Sequence, residues 1–90
     1  MVRALTEKER EQVINLGALE YSAEHCAAVL GWSIKDIQSA FNDQDSDFFK
    51  AYESGRLKAE YVIDLKLFEQ AQAGDIKSLD KLELRKRRRK

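Results

Sequence analysis

The sequence has no proline, four glycines, one cysteine, one histidine and one tryptophan among its 90 residues. Without proline and with so little glycine, it lacks the breakers that punctuate loop-rich or many-stranded chains. A single cysteine, Cys26, excludes an intrachain disulfide, and a cytoplasmic protein is the simple expectation. Long apolar runs are missing as well. No stretch approaches the roughly 18–20 consecutive apolar residues that a membrane-spanning helix requires. The opening MVRALTEKER has no apolar h-region, so no secretory signal is expected. Net charge is also absent, because 16 Lys and Arg balance 16 Asp and Glu.

That balance conceals a division. The last six residues, RKRRRK, are all basic and leave residues 1–84 with 10 basic and 16 acidic side chains, a net of −6. An acidic body therefore carries a cationic C-terminal arm. The length suits one domain, or one domain with an arm.

Apolar residues recur at three- and four-residue intervals, and the expected fold class is all-α. Thr6 opens the first helix, at about 7–19, in a capping box with Glu9. Val13, Ile14 and Leu16 supply its apolar side, and Gly17 makes its end uncertain. Ser22 caps a short helix, AEHCAAVL, which stops at Gly31, a natural left-handed terminator. Ser33 caps a third helix through about Asn42, with Asp36 at its third position and Trp32 placed to staple onto Ile37. The acidic turn DQDSD leads into a long helix, from about Ser46 to Ala73, loosened at Gly55. Gly74 ends it. Asp75 caps a last helix, carrying Ile76, Leu79 and Leu82, which dissolves into the basic arm.

Residues 23–42 thus form two short helices joined by a tight glycine turn. They read as a helix-turn-helix, or as a helical hairpin that merely packs. Ala27 is small where the helices would cross, and Cys26, Leu30, Trp32, Ile37 and Ala40 can close one core. Lys35, Gln38, Ser39 and Asn42 remain on the outer face of the third helix, beside Ile34 and Asp36, with Ser33 at its start. Such a helix lies in the major groove of double-stranded DNA. There Gln and Asn suit adenine, and Lys suits guanine or phosphate. Asp36 argues for the packing hairpin, since a carboxylate is poorly placed beside phosphates.

The stretch A-A-V-L-G-W-S-I-K-D-I-Q-S-A-F resembles the N-terminal helix-turn-helix of phage terminase small subunits. Its continuation, D-F-F-K-A-Y-E-S-G-R, does so too. L-F-E-Q-A-Q-A-G-D-I-K-S-L looks like the oligomerising helical hairpin that follows in many of them. The three motifs, in this order, cover about residues 6–84. The resemblance implies a non-enzymatic subunit for viral genome packaging. It would recognise DNA ends, assemble into a ring, and pass DNA to a large ATPase–nuclease subunit in the host cytoplasm.

The long helix carries two apolar stripes, Leu57–Tyr61–Leu65–Phe68 and Ile63–Leu67–Ala71, with the line Glu60–Asp64 between them. Two stripes suggest two packing partners. One is the last helix, through Ile76, Leu79 and Leu82. The other is a neighbouring copy, meeting Leu57, Tyr61, Ile63, Leu65, Leu67 and Phe68, or else helix 1 of the same chain. Arg85, Lys86, Arg87, Arg88, Arg89 and Lys90 suit phosphates, with salt-sensitive affinity. An acidic protein surface, or a targeting role, is the competing reading.

Catalysis finds no constellation. His25 and Cys26 are adjacent and diverge on a helix, and one of each cannot assemble a zinc site of usual spacing in one chain. Cys26 reads as core. No phosphate-cradling glycine loop or G-x-S-x-G is present, and no cofactor or metal is expected. The expected organisation is a helix-turn-helix DNA-recognition region at 1–44, a helical hairpin for oligomerisation at 45–84, and a basic tail at 85–90. The alternatives are a small dimeric transcription regulator and a helical protein-binding adaptor.

Overall fold

The computed structural model describes residues 4–89. Those residues are all-α, with five helices and no strand: α1 (Glu7–Ala18), α2 (Ala23–Leu30), α3 (Ile34–Asn42), α4 (Asp47–Gln72) and α5 (Ile76–Arg88). The chain divides into two compact units, Met1–Ala59 and Glu60–Lys90, and the division falls inside α4.

In the first unit the helix starts follow from local hydrogen bonds. The Thr6 hydroxyl accepts from the Glu9 amide, and one Glu9 carboxylate oxygen accepts from the Thr6 amide, both at 3.1 Å. The other Glu9 oxygen accepts from the Trp32 indole at 3.1 Å, so one carboxylate ties the start of α1 to the turn before α3. Ser22 and Ser33 cap α2 and α3 by accepting from the His25 and Asp36 amides. Gly31 ends α2 with φ 72°, a left-handed conformation that costs glycine little. The buried Ser46 hydroxyl donates to the Ala40 carbonyl and accepts from the Phe49 amide, each at 3.0 Å. It thereby fixes the end of α3 against the start of α4.

The core of this unit joins Leu5, Val13, Leu16, Cys26, Trp32, Ile37, Ala40, Phe48 and Ala51. Leu30, Phe41 and Tyr52 pack against it, half-buried. Cys26 is fully buried, and burial pushes its thiol up from the ordinary value.

α1 ends one residue after Gly17, and α4, expected to loosen at Gly55, runs through it without a break. A Cβ on Gly17 would collide with the Tyr52 backbone carbonyl, and one on Gly55 with the Ile14 carbonyl. The two glycines let the backbones of α1 and α4 touch where they cross.

In the second unit the C-terminal half of α4 packs against α5, but through an unexpected face. The half-buried residues of α4 here are Glu60, Asp64, Leu67 and Ala71, the line that carries the acids. The matching stripe is Ser78, Leu82 and Arg85 on α5 and its cap residue Arg89, spaced so that all four share one side. The Ser78 hydroxyl donates to Gln70 at 3.0 Å, while Arg85 and Arg89 both bond Asp64. Leu82 is buried as expected, but Ile76 and Leu79, expected to pack on α4, are exposed.

The basic run also departs from expectation. α5 does not dissolve at Arg85 but continues to Arg88. Arg and Lys are good helix formers, and cations at a helix C-terminus meet the negative end of its dipole. Asp64 further offsets the repulsion by neutralising two of them.

Candidate nucleic-acid interface

Ile37 and Ala40, both fully buried, seat α3 on the core of the first unit. The remaining turn-by-turn positions then point outward by geometry alone. Lys35, Gln38, Ser39 and Asn42 are all exposed and lie on one stripe of α3. Ile34 and Asp36 flank them, also exposed. Ser33 sits at the head of the helix, its oxygen already accepting the Asp36 amide. Lys35 makes no ion pair among the described residues. The turn that aims this helix is short: Gly31 and Trp32 both donate their amides to the Ala27 carbonyl, at 2.9 and 3.1 Å.

The cationic cluster is built differently. Arg85 Nε donates to Asp64 Oδ1 at 2.5 Å, and Arg89 Nη1 donates to Asp64 Oδ2 at 2.7 Å. The Asp64 side chain is only 14% exposed. The Arg85 hydrogen bond, and the charges of both arginines, hold its carboxyl below the usual carboxylate range. Glu60, Arg85, Arg88 and Arg89 border a depression of about 160 Å³. Lys86 makes a long 3.5 Å contact with Glu83 on the solvent side. Arg87 and Arg88 are exposed and carry no ion pair among the described residues. Lys90 lies outside the described residues.

The cationic end of α5 therefore splits into two roles. Arg85 and Arg89 brace the α4–α5 hairpin, while Lys86, Arg87 and Arg88 project from it. A count of basic residues in the sequence gives no sign of this division. The nearest signal was the Glu60–Asp64 line on α4, which reads equally well as a solvated face.

The residues expected at an intersubunit surface are mostly open. Leu57, Tyr61, Ile63, Leu65 and Phe68 are all exposed, Tyr61 at 65%, and Leu67 is half-buried. Sequence reasoning missed one further feature, an open cleft in the first unit lined by Glu20, Tyr21, Ser22, Ala23, Gln38, Phe41, Asn42 and Tyr52. Its signal in the sequence was faint: a Glu where a glycine commonly ends a helix.

No protein-family model, curated protein or solved structure matches the chain. The resemblance to terminase small subunits rests on the three quoted motifs.

Proposed function

We propose that the protein is a non-enzymatic, oligomeric DNA-binding subunit. Its α2–turn–α3 segment acts as a helix-turn-helix, and its role is the one the resemblance implies, recognition of viral DNA for packaging by a large ATPase–nuclease subunit. The observation that carries the reading is the presentation of α3. A helix seated by Ile37 and Ala40, and aimed by the left-handed Gly31, holds Lys35, Gln38, Ser39 and Asn42 out on one stripe. These are the residue types that bond base edges and phosphates. One lysine per recognition helix gives little affinity. Lys86, Arg87 and Arg88 add phosphate contacts, and several copies acting together multiply them.

A ring fits the second unit. A two-helix hairpin with few buried side chains gains little stability alone, and its apolar stripe can be covered by a neighbouring copy. If that contact is head-to-tail, it closes into a ring when its rotation permits.

The test is duplex binding by fluorescence anisotropy across a salt series, with the wild-type chain, Lys35→Ala/Gln38→Ala and Arg87→Ala/Arg88→Ala. The reading expects the first double variant to lose about tenfold at every salt concentration, as one or two base or phosphate contacts go. The second should flatten the salt dependence by about two charges. Unchanged binding by the first variant, with its helical spectrum intact, would remove α3 from the interface and favour the adaptor.

A further inference from the structure

We propose that the cleft at the end of α1 is a receptor for an arginine side chain from the cationic end of α5 in a second copy of this chain. The cleft is open to solvent and offers about 600 Å³, room for a long side chain and part of the segment that carries it. Its walls are the rings of Tyr21, Phe41 and Tyr52. They are held in place by an edge-to-face pair between Phe41 and Tyr52, with centroids 4.9 Å apart, and by the Tyr52 hydroxyl donating to the Tyr21 carbonyl at 2.9 Å. Gln38 and Asn42 add amide groups, and Glu20 brings the only charge to the lining.

Glu20 stands where two physical preferences oppose it. The Glu20 amide donates to Gly17 and the Tyr21 amide to Leu16, each at 3.0 Å, which is the double-bonded helix end that glycine usually completes. Glu20 adopts φ 54° there, the only non-glycine residue with positive φ among the described residues. It also places a negative charge at the negative end of the α1 dipole. Its carboxylate has no ion pair among the described residues. A carboxylate, a helix C-terminus and aromatic faces all attract a cation, and all three meet at this cleft. The Glu20 carboxylate and the helix C-terminus disfavour phosphate at this end of the cleft, while Gln38 and Asn42 on its rim also belong to the stripe proposed to meet DNA.

The chain supplies the matching cation itself. Met1–Ala59 carries 7 basic and 10 acidic residues, whereas Glu60–Lys90 carries 9 and 6. Arg87 and Arg88 are exposed, carry no ion pair among the described residues, and offer their guanidinium groups for the cleft. Their planar forks suit both a carboxylate and an aromatic face. The contact can form without DNA, but DNA would compete for both of its sides, its phosphates for Arg87 and Arg88 and its bases for Gln38 and Asn42.

The experiment titrates the isotope-labelled full chain with a synthetic peptide of residues 80–90 and follows backbone amide shifts. Saturable shifts confined to Glu20, Tyr21, Ser22, Gln38 and Asn42 are expected. Glu20→Gln should weaken the peptide about fivefold, the worth of one well-placed exposed ion pair. Glu20→Gly should weaken it as much while its melting temperature stays equal or rises, which separates binding from folding. Diluting the wild-type chain alone should move the same amides. Shifts that spread over the acidic surface, or affinity unchanged in Glu20→Gln, would overturn the receptor. Equal binding of a scrambled arginine-rich peptide, with no dilution effect, would overturn the second copy as its source. Cleft shifts caused by duplex DNA but not by the peptide would overturn both.

Discussion

Asp64 joins α4 to the cationic end of the last helix. Its two oxygens hold Arg85, on α5, and Arg89, the cap residue one turn further on. A carboxylate shared by two guanidinium groups in a largely covered position stabilises the hairpin by about 1–2 kcal/mol. Its carboxyl titrates below the ordinary range in the folded chain, so that contribution is complete above the ordinary carboxylate value. It is lost as pH falls through the lowered value. Asp64→Asn should therefore be less stable than wild type at pH 7, and the gap should close toward pH 2. Urea melts at a series of pH values measure it, and a gap that stays constant would count against the ion pair. The variant also frees two arginines, so on the proposed DNA-binding reading its affinity for a duplex should become more salt-dependent, not less.

At the scale of elements, the crossing of α1 and α4 has the least tolerance. Gly→Ala inside a helix ordinarily stabilises by about 1 kcal/mol. At Gly55 the added methyl would meet the Ile14 carbonyl, so Gly55→Ala should instead cost roughly 2 kcal/mol or more. Thermal melts followed by circular dichroism check the sign, and a stabilised variant would show that the helices can part cheaply. The helix starts were legible because Thr6, Ser22, Ser33 and Asp75 act through hydrogen bonds three residues away. Such bonds need no knowledge of the rest of the chain. The seating of α3 was legible for a similar reason, since Ile37 and Ala40 are its apolar positions. The crossing glycines were not, because a close approach is set by the partner helix. Nor was the packing face of α5. Apolar spacing pointed to Ile76, Leu79 and Leu82, whereas Ser78, Arg85 and Arg89 found hydrogen-bonding partners on α4 and turned Ile76 and Leu79 outward. The aromatic cleft joins residues of α2, α3 and α4 to the α1–α2 turn, which no single segment displays.

Across the whole molecule, apolar surface is distributed unevenly. The first unit has a contiguous core, while among the described residues of the second only Ser78 and Leu82 are buried. Tyr61, Val62, Ile63, Leu65, Phe68, Ile76, Leu79 and Leu84 stay exposed there. Such a surface on so small a unit is the one that the proposed assembly would cover. On the proposed oligomeric reading, Leu65→Glu should lower the native mass to that of a single chain, as read by light scattering on a gel-filtration peak. A folded Leu65→Glu chain with undiminished mass would place the subunit contact elsewhere. The first unit, by contrast, seals its one thiol. Cys26 has no exposed surface, and its sulfur lies 3.7 Å from the Tyr21 carbonyl that also receives the Tyr52 hydroxyl. A thiol reagent can reach it only when the surrounding helices separate. The rate of Cys26 labelling in native buffer is thus a clock for the opening of the first unit, carried by the natural sequence and needing no added probe.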